Sequence, residues 1–253
     1  MIELKSINVI FDKNTNREAH VIKDLDLTVS NGDFITIIGG NGAGKSTLMN
    51  LLAGDLYPSN GQIFIDGINV TKLSTEKRSS MVARVFQDPM IGTCSELTIE
   101  ENMSIAYKRG NIRGIDLSIN TELRSKFQKI LQNLEMGLEN RLSMKVSGLS
   151  GGQRQALSLI MATIQGSKIL LLDEHTAALD PKIAKLIMEI TAKLTDMYKL
   201  TALMITHSMS QALHYGNRTI MMSRGKIVKD IDAVKRNNLA PNDLIKYFDL
   251  EDA

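Results

Sequence analysis

Gly39-Gly40-Asn41-Gly42-Ala43-Gly44-Lys45-Ser46-Thr47 follows the apolar run Ile35–Ile38 and fits the spacing G-x-x-x-x-G-K-[ST]. Glycines in such a turn let successive backbone N–H groups point inward, as a nest for phosphate oxygens. Lys45 is placed to reach the β- and γ-phosphates, and the Ser46 hydroxyl to ligate Mg²⁺. A helix expected over Ser46–Ala53 adds its positive N-terminal end. The chain is therefore expected to bind a nucleotide.

Further chemistry lies at the ends of other apolar runs. Ile169–Leu172 ends in the adjacent acids Asp173 and Glu174. A buried strand there delivers Asp173 to the edge of a sheet, where nucleoside triphosphatases with this loop hold Mg²⁺. Glu174 is one step on and can face an attacking water instead. Gln87 follows another strand, where a side-chain amide can reach a metal or serve only as a turn residue. His207 follows the run Thr201–Ile205; a lone histidine there is more often a surface residue than a catalytic one. Leu149-Ser150-Gly151-Gly152-Gln153 opens a helix. Ser150 there is either a simple helix cap or, with the glycines, part of a second anion site. Spacing alone leaves both open.

The elements that must position these residues are legible as periodicities. Ile2–Phe11 and His20–Val29 read as strands, and Leu25, Leu27 and Val29 alternate with Asp26 and Thr28, as in an antiparallel sheet with one wet face. Phe34–Ile38 reads as a buried strand. Gln62–Val70 reads as a hairpin about Asp66-Gly67, and Met81–Phe86 as a strand. Thr98 and Glu101 suit a capping box. Leu123, Phe127, Ile130, Leu131 and Leu134 recur at helical spacing, and a further helix is expected over Gly151–Gln165. Residues from about 92 to 160 thus form a helical insertion, with Lys108–Asn120 as a polar surface loop. Helix Lys182–Met197, strand Thr201–Ile205, helix Ser208–Tyr215 and a hairpin about Ser223-Arg224-Gly225 follow. Pro241 opens a last helix with Leu244, Ile245 and Phe248 apolar. Strands alternating with helices after residue 34 imply an α/β fold with a mostly parallel sheet covered on both faces.

Composition limits the alternatives. The 253 residues are 43% apolar, and 30 basic against 28 acidic residues leave a net charge of +2. That balance gives no broad electrostatic footprint for nucleic acid. Cys94 is the single cysteine and fits a reducing compartment. Met1–Ser6 lacks the basic start and apolar core of a signal peptide, and no apolar run approaches the ~18 residues of a membrane span. If the protein works at a membrane, it must dock onto something that spans it.

Taken in order, Gly39–Thr47, Gln87, Leu149–Gln153, Asp173-Glu174, Ala177–Asp180 and His207 resemble the nucleotide-binding domain of the ATP-binding cassette (ABC) family. The resemblance covers about residues 2–232, leaving 233–253 as a helical tail. It implies a P-loop NTPase (RecA-like) core, an N-terminal antiparallel β subdomain and an inserted helical subdomain. It implies ATP and Mg²⁺ as cofactors, ATP hydrolysis as the activity, and a ligand set that includes Ser46, Gln87 and Asp173 for the metal. Phe11 would stack on adenine, here in place of the usual Tyr. Gln87 would sense the γ-phosphate, Glu174 would be the general base, and His207 would contact the γ-phosphate. Ser150, Gly151, Gly152 and Gln153 would bind a nucleotide held by a second copy, so that two cassettes sandwich two ATPs head to tail, with Asp180 at the seam. His175 stands where the family often has Pro, with a modest backbone effect and added polarity near the metal expected.

The run Thr98–Asn102 resembles transporter cassettes, and Asp173–Pro181 looks like a subgroup of bacterial importer cassettes associated with tryptophan or tyrosine. The partners implied are a permease gripped at residues 88–102 and an extracytoplasmic solute-binding protein, with the cassette peripheral on the cytoplasmic face of the membrane. The alternatives are an exporter or lipoprotein-release ATPase, a soluble ABC ATPase, and a small-molecule kinase. The last would not explain Leu149–Gln153.

Overall fold

The computed structural model describes residues 1–110 and 120–251. Strands β1 (Ile2–Phe11), β2 (Ala19–Val29) and β3 (Phe34–Gly39) come first, then helix α1 (Lys45–Ala53). Strands β4 (Asn60–Ile65) and β5 (Ile68–Asn69) precede a single helical turn, α2 (Thr75–Arg78). Strand β6 (Val82–Val85) leads to helices α3 (Ile99–Tyr107), α4 (Thr121–Gln132) and α5 (Gly151–Thr163). Strand β7 (Ile169–Asp173), helix α6 (Pro181–Met197), strand β8 (Thr201–Ile205) and helix α7 (Met209–His214) follow. The chain continues through β9 (Arg218–Ser223), β10 (Lys226–Ile231), α8 (Ala233–Arg236) and α9 (Pro241–Glu251). Residues 111–119, most of the polar loop expected at Lys108–Asn120, lie outside the described residues.

Contacts gather the chain into two compact units: Met1–Arg78 with the chain from Lys199 onward, and Ser79–Tyr198. In the first, β2, β1, β4 and β5 form an antiparallel sheet in that order. Leu25, Leu27 and Val29 are buried while Asp26 and Thr28 are exposed, so the alternation in sequence is the alternation of faces. Strand β3 lies between β8 and β9, parallel to both, and every residue of it is buried. Its continuous apolar run suits a strand covered on both faces. The one polar side chain in it, Thr36, donates to the Ala212 carbonyl at 2.9 Å.

Arg78 ties this unit together. Its guanidinium is fully buried and donates to the carbonyls of Leu51, Leu52, Val70, Thr71 and Leu73. Two of those carbonyls belong to the last turn of α1, which has no further helical donors of its own. The tail packs on the same unit: Leu244 of α9 is buried in a cluster with Ile38, Ala212, Met221 and Ile231. Ile245, expected on the apolar face, is 46% exposed instead, and Tyr247 takes part in the packing. One helical turn separates Leu244 from Tyr247, whereas Ile245 points about 100° away. The Phe248 side chain lies outside what is described.

In the second unit β6 and β7 pair in parallel, from Val82 opposite Ile169 to Val85 opposite Leu172. Thr98 caps α3 in the expected box with Glu101, and Asp180 caps α6 with Pro181 just inside the helix. Phe127, Leu131 and Leu134 are buried, while Leu123 and Ile130 are half-buried.

Candidate nucleotide site

The phosphate loop leaves the C-terminal end of β3 and enters α1 one residue earlier than expected, at Lys45. Gly44 sits at φ +100°, a backbone conformation that strains any L side chain, and a Cβ there would also press on Cδ1 of Ile22 at 2.7 Å. At Gly39 a Cβ would lie 2.4 Å from the Met222 carbonyl oxygen. No side chain caps α1, and no acid stands in its first turn. The helix therefore offers its N-terminal N–H groups and positive end to an anion. Lys45 is buried, and its ammonium donates to the carbonyls of Gly39 at 2.7 Å and Gly40 at 2.9 Å. Asn41, Gly42 and Ser46 are exposed, Thr47 is half-buried, and Ala43 is buried.

Register brings a second residue to the same edge. Ile37 pairs with Ile205, and the Thr206 N–H reaches the Ile37 carbonyl at 3.2 Å. The loop after β3 and the loop holding His207 thus leave neighbouring parallel strands at their C-terminal ends, where open α/β sheets bind ligands. Thr206 donates to Gln211 at 2.8 Å and accepts from Ser208 N–H at 3.1 Å, fixing the turn that exposes His207. Phe11 ends β1 and is 40% exposed, leaving it accessible for stacking.

The second unit repeats this logic. Because Val85 pairs with Leu172, Gln87 and Glu174 each lie two residues past that pair, at one edge. Gln155 of α5 donates to the Phe86 carbonyl at 3.0 Å and holds that strand end in place. Gln87 is exposed, and Asp173 and Glu174 are half-buried. Glu174 takes the left-handed conformation at φ +48°, and its carbonyl accepts from Ala177 N–H at 2.9 Å. Such a non-glycine residue stores roughly 1–2 kcal/mol of backbone strain.

Sequence reasoning missed two things here. Arg84, on β6, donates to the Asp173 carboxylate at 2.6 Å, and its guanidinium lies 4.8 Å from the centre of the Phe86 ring. His175 does not add polarity toward the acids. It is 1% exposed and 3.0 Å from Thr191 Oγ1 on α6, and burial pushes its pKa down to about 4. A run of β-residues next to an acid-ended strand signals Arg84 only once the strand partner is known.

Ser150 proves to be a helix cap: its hydroxyl accepts from Gln153 N–H, and the Gln153 side chain accepts from Ser150 N–H. The cap does not exclude the second reading, because Ser150 and Gly151 remain exposed. Gly152 is closed off, since a Cβ there would lie 2.4 Å from Ile183 of α6.

The donor set suits Mg²⁺. Among the described residues no three of His, Cys, Asp and Glu cluster as a metal cage. Mg²⁺ seldom uses one: it keeps waters and takes one or two carboxylates with substrate phosphates. Within the Ser79–Tyr198 unit the Asp173 carboxylate and the Gln87 amide are hard oxygen donors of that kind, and within the other unit the exposed Ser46 hydroxyl is one as well.

Comparison with known proteins follows the same line. A family model described as ABC transporter matches residues 22–177. The tyrosine transport ATP-binding protein of Clostridioides difficile (strain R20291) is 39% identical over 252 residues, spanning 98% of this chain and 99% of that protein. The thiamine import ATP-binding protein ThiQ of Escherichia coli (strain K12) is 33% identical over 208 residues, spanning 82% of this chain and 84% of that protein. A dimeric ATP-binding cassette solved in a post-hydrolysis state with ADP and Pi matches with a TM-score of 0.78 at 28% identity, covering 92% of this chain and 99% of that one.

Proposed function

The chain belongs to the ABC transporter family as an ATP-binding, ATP-hydrolysing cassette, and from that premise we propose that it powers import of an aromatic amino acid such as tyrosine. The observation that carries this reading is the near full-length similarity to a tyrosine transport ATP-binding protein. The cassette spans 1–232, with the helical subdomain at about 92–160, and 233–253 is its tail.

Each half of the machinery has a role. Lys45 exchanges the carbonyls of Gly39 and Gly40 for the β- and γ-phosphates. Phe11 stacks on the adenine, and the loop N–H groups hold the phosphate chain. Ser46, Asp173 and Gln87 would hold Mg²⁺, which would supply charge neutralisation to the transferred phosphoryl group. Glu174 orients the attacking water and takes its proton, and His207 steadies the γ-phosphate. Ser150–Gln153 closes the site of a second copy, so hydrolysis requires the closed pair and opens it again.

Among the described residues no helix is long and apolar enough to cross a membrane. In the proposed system a permease carries the substrate across, with the cassette peripheral at the cytoplasmic face and a solute-binding protein delivering the substrate from outside. Met90 and Ile91 are 52% and 65% exposed in the segment that follows Gln87. Apolar side chains this exposed on the linker from the γ-phosphate sensor suit a permease contact.

Reconstitution with the permease and solute-binding protein in vesicles tests the assignment. Tyrosine uptake that needs Mg²⁺ and ATP, and is lost in Glu174→Gln, is expected. ATP hydrolysis without tyrosine uptake would overturn the substrate, and ATP-driven efflux would overturn the direction.

A further inference from the structure

Arg84 and Asp173 form an ion pair within the Ser79–Tyr198 unit, with the guanidinium nitrogen 2.6 Å from the carboxylate. The side chains are only 13% and 17% exposed. Register makes the contact. Ala83 pairs with Leu170 and Arg84 with Leu171, so Arg84 reaches forward along the sheet to the acid at the end of β7. The Phe86 ring backs the cation at 4.8 Å from its centre. A planar guanidinium held by a carboxylate on one side and a ring face on another has little freedom to leave.

This matters because Asp173 stands beside Glu174. Two adjacent carboxylates repel each other, and a cation beside them relieves that repulsion. Mg²⁺ would do the same. Resting on the reading of Asp173 as a metal ligand, we propose that Arg84 is a positioning residue that acts as a resident counter-ion, competing with Mg²⁺ for the Asp173 carboxylate. Arg84 thereby raises the Mg²⁺ concentration at which the cassette assembles its Mg²⁺–ATP site. It couples nucleotide loading to magnesium supply and offsets one of the two adjacent negative charges when Mg²⁺ is not bound.

The sign of the effect separates this from a structural role. Removing a cation beside a metal-binding carboxylate strengthens metal binding, whereas loosening the sheet edge weakens it. The Phe86 ring keeps its contact with the guanidinium when Asp173 turns to the metal, which lessens the cost of parting the pair.

The test measures binding of a fluorescent, non-hydrolysable ATP analogue to the full chain across a buffered Mg²⁺ series. Arg84→Met is expected to lower the half-saturating Mg²⁺ concentration roughly three- to tenfold. Its affinity for the analogue in EDTA should stay at the wild-type value, and Arg84→Lys, which keeps the charge, should move the midpoint less. Arg84→Gln supplies the same reading should the Met variant fail to fold. An unchanged or raised Mg²⁺ midpoint in the uncharged variants overturns the proposal. Asp173→Asn separates the metal-ligand role of Asp173 from the counter-ion role of Arg84. If it leaves the Mg²⁺ midpoint unchanged, Asp173 is not the ligand and the underlying reading fails. If it raises the midpoint while Arg84→Met does not lower it, the counter-ion role alone fails.

Discussion

His175 Nε2 donates to Thr191 Oγ1 at 3.0 Å, and the geometry fixes which atom carries the proton. Thr191 spends its own hydroxyl hydrogen on the Ile187 carbonyl at 2.7 Å. Its oxygen is left as the acceptor, so the imidazole is the Nε2–H tautomer. The residue next to the proposed general base is thereby anchored to α6.

This neutral, buried imidazole makes stability depend on pH. Its pKa lies near 4 in the folded protein, against an ordinary 6.5, because burial penalises the charged form. The unfolded chain takes up the proton as pH falls through 6.5, and the folded chain resists until near 4. The contribution is therefore complete above pH 6.5 and drains away between 6.5 and 4, amounting to about 3 kcal/mol in all. Urea midpoints of wild type and His175→Gln at pH 7 and pH 5 measure it. Wild type is expected to lose about 2 kcal/mol more than the variant over that interval; parallel losses would contradict the burial argument.

Ser150 combines a cap with a proposed contact across the dimer, and two substitutions separate them. Ser150→Ala removes the cap and is expected to cost about 1 kcal/mol in urea unfolding. Ser150→Asp keeps a good cap and restores that stability, but its charge opposes the phosphate of the partner's nucleotide. Both variants should bind ATP as monomers, and both should lose ATP hydrolysis. Hydrolysis that recovers with the cap in Ser150→Asp would reduce Ser150 to a structural residue.

What the sequence disclosed and what it hid divide by distance along the chain. The phosphate loop is contiguous, so its glycines, Lys45 and Ser46 could be read directly, and the helix began within one residue of expectation. The faces of β2 followed from alternation alone. The Arg84–Asp173 pair spans 89 positions and exists only because β6 lies beside β7 in one particular register. No local pattern encodes that register. The inward turn of His175 depends on a hydroxyl contributed by α6, 16 positions away. Ser150 stayed ambiguous for another reason: a helix N-terminus uses the same exposed groups to be capped and to bind an anion.

In the proposed mechanism the Gly39–Thr47 loop is half of a site completed by Ser150–Gln153 of a second copy. Size-exclusion chromatography of Glu174→Gln with ATP and Mg²⁺ tests it most directly. Loss of the proposed general base alone should leave binding intact and remove only the step that opens the pair. An ATP-dependent dimer that wild type forms only transiently is the predicted result. A Glu174→Gln protein that binds ATP and still elutes as a monomer would contradict the account.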